Sequence, residues 1–520
     1  MKINNKLIIL AMLVMMIACV SAVSATDIES SDNVTDVIEV DEVTDVVEED
    51  VIDDVSEDVV EEDETNPVED GTINGYTYNY FFHPETGELA TNVDLNFTGN
   101  FYAKDFGNFK VGKSITINAY DATFHNIGFD LKESQITLNG GTFIFDEPTN
   151  IHAGLNITGN GATIENTVID VTAPGNSTFY AIDVESASNV KLLNNTITYI
   201  CNYTNAVNFN YVIKGKNSAG LNITGNTVNA YLPLKLVNWA ISGSIDADYV
   251  AGIALEQCGS AKLIGNTVNV KGILRGGSFP TLDAIIIANS NDVVIEHNTV
   301  TESDLVTVSG EANYIYGIDV YSCNNIKIGY NDVTMNGNKS GGHIEGNGTG
   351  AAYCIQLSGE YQGADIYYNT LTTSNEGPNL GIYAQNYAEL DTHLYVYKNN
   401  ITVTGKAGNG PWSLVSGIES QVKYSYIYDN IVRVNNTAGY NSGNYAFGIS
   451  YAQWINGTHY YNIHNNDVEV INGDYAVYLI DENVVTGKVI DNDLVAYTNN
   501  STKTGDAAVS ANGDYVSIDN

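Results

Sequence analysis

Tyrosine is the residue whose spacing in this chain points most directly to surface chemistry. Of 35 tyrosines, 18 fall between residues 353 and 478. Four successive segments carry Tyr367, Tyr397, Tyr428 and His464 at matched positions, and two residues earlier Asp365, Tyr395, Tyr426 and Asn462. Apolar residues alternate with them, as in Tyr395-Val396-Tyr397, so in an extended strand both positions face away from the buried side. Strands lying side by side hold such rings about 4.8 Å apart, which predicts a flat plaque. Ring faces stack on sugars and on apolar surfaces. The predicted binding set is therefore Tyr367, Tyr395, Tyr397, Tyr426, Tyr428 and His464. The structural alternative is that tyrosine suits an exposed strand face and covers its neighbours' backbone. Trp239, Trp412 and Trp454, in segments between strands, are further contact candidates.

Charged residues offer less. The chain has two arginines, Arg275 and Arg433, far apart in sequence, and its eight histidines form no metal-spaced pair. Asp319 follows Ile318 as Asp183 follows Ile182, so both face outward, but the equivalent positions between them hold Ala254 and Ile286. Two carboxyl groups at a set separation, the usual requirement for acid–base hydrolysis, are not supplied by adjacent segments. The glycine-rich run from Gly341 to Gly350 lacks the Lys-Ser/Thr of a phosphate loop and reads as a flexible insertion. These residues predict no catalytic set, no metal site, no cofactor and no enzymatic activity.

What must position the tyrosines is a repeat. An asparagine recurs in the phrase apolar–x–x–Asn–x–apolar, at Asn195, Asn226, Asn266, Asn298, Asn331, Asn369, Asn399, Asn430, Asn466 and Asn492, with related phrases at Asn166 and Asn520. Three residues before it the column reads Leu192, Ile223, Leu263, Ile295, Ile328, Ile366, Val396, Ile427, Ile463 and Val489. Two residues after it stand ten more aliphatic residues, from Ile197 to Leu494. Upstream, most units carry a small residue beside a β-branched one, as in Gly252-Ile253, Gly317-Ile318 and Gly448-Ile449. Three short strands per unit, none able to bury its apolar column alone, predict an all-β parallel β-helix of about 12 coils plus an N-terminal cap. The asparagine falls at the sharp turn between second and third strands. There a left-handed backbone and a coil-to-coil amide ladder are expected. Insertions after the third strand (201–212, 231–249, 271–281, 302–313, 336–352 and 405–415) map to one flank.

The ends differ from the repeats. Lys2 and Lys6 precede an apolar run from Leu7 to Val20 and a small-x-small site ending at Ala25, which predicts a signal peptide over 1–25. Residues 26–70 hold 21 acidic residues and no Lys or Arg, the composition of a disordered spacer. Residues 71–150 read as the cap and first coils, and 151–520 as β-helix. Net charge is −42, which argues against nucleic acid and anionic membrane as partners. No second apolar run is long enough to span a bilayer, so a secreted or cell-surface chain is expected. Cys258 and Cys323 share a column two coils apart, about 9.6 Å and too far for a disulfide, so buried free thiols are expected. The last repeat stops at Asn520 before its third strand, which reads as a truncated C-terminus.

Together, the Asn-Thr-Val phrase (Asn266-Thr267-Val268, Asn298-Thr299-Val300), the Gly-Ile strands, the signal peptide and the acidic stretch resemble archaeal adhesin-like surface proteins. These are built from pectate-lyase-like, right-handed parallel β-helix repeats. The resemblance spans roughly 110–520. It implies the fold; taken with the missing catalytic set, an exported, non-enzymatic protein presenting a rigid face to glycans or surface proteins of a neighbouring cell or the cell wall is expected. Structural envelope proteins and polysaccharide lyases or hydrolases share the scaffold. Lyases of this fold use an Arg or Lys base beside Ca²⁺-binding carboxylates.

Overall fold

A computed structural model describes residues 71–520 apart from 149–150, 173–178, 202–209, 236–249, 276–280, 308–313, 337–350, 375–376, 387–390, 408–413, 441–444, 452–457, 480–484 and 512–515. The signal-peptide and spacer segments, the glycine-rich run and Trp239, Trp412 and Trp454 lie outside the described residues. No described helix is long and apolar enough to cross a membrane.

The chain is a right-handed parallel β-helix. Each coil contributes one strand to each of three rows, and the strands of successive coils pair in parallel. A parallel crossover of this kind is right-handed for steric reasons. The first row is a sheet of 14 strands, from Phe109–Val111 to Val509–Ala511, and the other two rows join in a second sheet of 29 strands. Two first-row strands, Phe109–Val111 and Phe129–Leu131, already belong to 71–150. That region therefore builds coils, and its core is packed with Phe97, Phe101, Phe109, Phe124, Phe129 and Phe143. The only antiparallel strand pairing among the described strands joins Val495–Tyr497 to Thr502–Thr504.

Register follows the sequence columns. Leu192 pairs with Ile223, Ile223 with Leu263, and so on through Ile295, Ile328 and Ile366 to Val489. Every member is fully buried. The small residues of the first row meet third-strand aliphatics across the core. A Cβ on Gly417 would lie 2.2 Å from a Val432 methyl, and one on Gly448 would lie 2.1 Å from a Val468 methyl. Glycine is required there by packing, not by backbone angle.

From Asn195 to Asn492 the repeat asparagines form an unbroken buried ladder. Asn298 Nδ2 donates to Asn331 Oδ1 at 2.9 Å, and Asn331 Nδ2 to Asn369 Oδ1 at 3.0 Å. The same Oδ1 accepts the backbone N–H of the preceding asparagine, and Nδ2 also reaches a carbonyl one coil back, as Asn298 does to Leu263 at 2.9 Å. Every amide is thus fully used.

The backbone differs from expectation in one respect. The left-handed residue is the one before each ladder asparagine: His297, Tyr330, Tyr368, Lys398, Asp429, Asn465 and Asp491 have φ of 53 to 58°. The ladder asparagines themselves are not among the positive-φ residues. Asn166 is left-handed, and the ladder position in its coil is Thr167, whose N–H and hydroxyl both donate to Asn195 Oδ1.

The insertions also begin later than their sequence suggests. Residues 231–235, 271–275 and 302–307 extend the third strands Thr227–Lys235, Thr267–Arg275 and Thr299–Thr307. Cys201, Cys258, Cys323 and Cys354 are free and buried.

Candidate functional site

Two outer faces carry the side chains that could act. On the second-strand row, parallel in-register pairing places each tyrosine directly over its counterpart. Tyr367, Tyr397, Tyr428 and His464 form one stack, with centroids 5.4, 5.1 and 5.1 Å apart and planes within 9°. Tyr395 and Tyr426 begin a second, 4.8 Å apart, beside His393 on Tyr424 at 4.7 Å. All six predicted residues are half-buried, and the structure brings them onto one face.

The plaque is not flat. Near-parallel rings spaced along the axis turn their faces to each other, so solvent meets ring edges and hydroxyls. The Tyr367 hydroxyl donates to Glu296 two coils away. Burial, and then that carboxylate, push the Tyr367 phenol above its usual range.

A third aromatic row escaped the sequence reading. His297, Tyr330 and Tyr368 occupy the left-handed turn position, stacked at 4.8 and 5.0 Å, with Lys398 Nζ donating to the Tyr368 hydroxyl at 3.0 Å. Tyr330 and Tyr368 are 46% and 42% exposed. The signal was present in the sequence as the column immediately before each asparagine.

The first-strand row presents ionisable groups. Its outward column runs Asp183, Lys214, Ala254, Ile286, Asp319, Gln356, Tyr383, Glu419. Lys214 lies between Asp183 and Ala254 and was overlooked because its strand reads Val212-Ile213, without the small residue that marks the others. Its Nζ sits 3.5 Å from Asp183 and 3.3 Å from Glu185, and 5.0 Å over the Tyr180 ring. Exposed His152 reaches Asp183 at 3.4 Å. The hydrogen bond to Asp183 raises the imidazole pKa, against the effect of partial burial. An accessible imidazole held by a buried carboxylate beside a buried ammonium is an arrangement able to accept and return a proton.

Further along, Asp319 is not alone. Asp283 lies on the adjacent strand, Thr281–Ala288, paired in register with Tyr314–Tyr321. Asp283 is fully buried and Asp319 nearly so. Burial raises both carboxyl pKa values; the Asp319 charge raises that of Asp283 further, whereas hydrogen bonds from Gln356 and the Val320 N–H oppose the rise at Asp319. Two carboxyls therefore do lie on adjacent coils, but out of register, Asp283 opposite Tyr316 and Asp319 opposite Ile286. Asp283 was missed because it sits three residues before the column examined. Among the described residues no cluster of His, Cys, Asp and Glu has metal-binding geometry.

No protein-family model and no curated protein matches the chain. Among solved structures it is similar to the Streptococcus pneumoniae surface protein and adhesin PfbA, with 12% identity over 58% of this chain and 91% of that one, TM-score 0.28. It is also similar to the periplasmic alginate epimerase AlgG, with 12% identity over 74% of this chain and 84% of that one, TM-score 0.28. A PL6 alginate lyase in complex with a trisaccharide shows 10% identity over 86% of this chain and 95% of that one, TM-score 0.27. These neighbours are pectate-lyase-like parallel β-helix proteins. Enzymes stand among them beside the adhesin. The alginate lyases and the epimerase among these neighbours overturn the expectation that the chain is not an enzyme.

Proposed function

We propose that the chain is an exported, adhesin-like β-helix that binds glycans along the aromatic rows of its second-strand face. The observation that carries this reading is the parallel course of three aromatic rows over successive coils, beginning at His297 and ending at His464. A rigid array loses little ordering entropy on binding. Ring edges and hydroxyls repeated once per coil suit a partner that is itself a polymer, such as a polysaccharide of a neighbouring cell or wall. Export rests on the signal peptide read over residues 1–25.

The test is a glycan array probed with the intact protein, Tyr397→Phe/Tyr428→Phe and Tyr397→Ala/Tyr428→Ala. Binding through hydroxyls is lost in both double variants, and binding through ring edges only in the alanine one. Equal binding by all three proteins would defeat the proposal.

A second reading, chemistry on a polysaccharide, is favoured by the His152–Asp183–Lys214 arrangement. Alginate and polygalacturonate incubated with the protein should then yield unsaturated uronate, reducing ends or epimerised residues, and His152→Ala should abolish them. Unchanged polymer in every case would remove this reading.

A further inference from the structure

In the middle of the solenoid three carboxyl groups are buried with no ion-pair partner among the described residues. Asp283 and Glu302 have no exposed surface, and Asp319 is 4% exposed. Asp283 has no hydrogen-bond partner on either oxygen, Glu302 draws only on the Ala284 backbone N–H, and Asp319 keeps one oxygen unpartnered beside contacts from Gln356 and the Val320 N–H. Glu302 occupies an inward column of the third strand, between Val270 and Met335, where other coils carry Val403, Val434 and Val470. Burial, and then charge on Asp319 and Glu302, raise the pKa of Asp283, which links the three electrostatically.

The described in-register neighbours of this set carry no positive charge. Val270 and Met335 flank Glu302, Ala251 and Tyr316 flank Asp283, and Ile286 and Gln356 flank Asp319. The Cys323 and Cys354 thiols, themselves pushed up to about 12 and beyond by burial, respond to Asp319 and Glu302 respectively. Tyr353 stacks on Tyr316 from the next coil. No ion pair among the described residues reaches any of the three carboxyls. Glu419 provides the contrast: equally buried, it accepts a hydrogen bond from Gln421 at 3.1 Å.

An isolated buried carboxylate is far more costly than a buried carboxylic acid. We propose that the strands Thr281–Ala288, Thr299–Thr307 and Tyr314–Tyr321 form a proton-held seam, closed while Asp283, Glu302 and Asp319 carry protons and opening locally when they ionise. The sign follows from linkage. Their folded-state pKa values lie above the ordinary carboxylate range, Asp319 at about 7. The stabilisation is therefore complete below that range and is lost as pH rises through the folded values.

Hydrogen exchange of the full chain between pH 5 and pH 9 tests the seam. After correction for intrinsic exchange, protection in 281–288 and 314–321 should fall by up to about tenfold per pH unit for each proton released. Strands Lys191–Leu193 and Thr196–Ile200, which carry no buried acid, serve as the control for general charge repulsion. Glu302→Gln and Asp319→Asn should flatten the fall. Independently, the infrared spectrum of the unaltered protein at pH 6 should contain a protonated-carboxyl band that Glu302→Gln diminishes. Protection that tracks the control strands, or a spectrum with carboxylate bands alone, overturns the proposal. So does protection at pH 8 restored by Ca²⁺ or Mg²⁺, which would mean that a cation holds the seam.

Discussion

The second-strand face and the first-strand face are built on the same register, yet they use it in opposite ways. On the second-strand face like residues sit over like, and Tyr397 over Tyr428 gains a stacking contact. On the first-strand face Asp183 is followed on the next coil by Lys214, so signs alternate and pair. Further along, Asp283 and Asp319 stand on adjacent coils three residues out of register, with no opposite sign beside them, and burial raises the pKa of both. A parallel in-register stack rewards repetition of neutral, polarisable side chains and penalises repetition of charge. Binding surfaces can therefore grow coil by coil on the aromatic face. Ionisable sites on the other face must be local.

The strongest way to break this contrast is to repeat a charge. Ile286→Asp places a carboxyl in register with Asp319 and should destabilise by about 3–5 kcal/mol, read as a lowered urea midpoint, with a larger loss at pH 8 than at pH 5. Removing one sign of an alternating pair comes next. Asp183→Ala leaves buried Lys214 with Glu185 alone and should cost about 2–3 kcal/mol, in the same measurement. On the aromatic face the effects shrink. Tyr397→Ala interrupts one stack and should cost about 1–2 kcal/mol, while Tyr397→Phe should shift stability by less than about 0.5 kcal/mol. The smallest expected effect is the titration of exposed His152. Its raised pKa means that the pair with Asp183 is intact below the ordinary histidine range and lost as pH rises through the folded value. Asp183→Asn should return the imidazole NMR titration to lower pH.

The fold was legible because each buried column repeats a residue type ten times, so a single irregular coil cannot hide the period. Ring orientation was not, since alternation tells which way Tyr397 points but not how its ring turns once Tyr428 lies beneath it. Glu302 was placed in an insertion because polarity usually marks a loop, whereas here the strand runs on through it. Lys214 and Asp283 were lost for a related reason: each stands on a coil or at a position where the repeat departs from its own pattern. The left-handed residue was misplaced by one because asparagine is a good candidate for that backbone, yet its amide is engaged elsewhere.

The ladder also gives the solenoid a direction. From Asn195 to Asn492 every amide donates toward the following coil and accepts from the preceding one, a head-to-tail chain whose dipoles add and whose bonds reinforce one another. Thr167 fits at its start because it needs only to donate. A coil moved, duplicated or grafted within this protein must therefore carry both an acceptor for the coil before it and a donor for the coil after. The row of amides acts as a template that reads the polarity of each new turn.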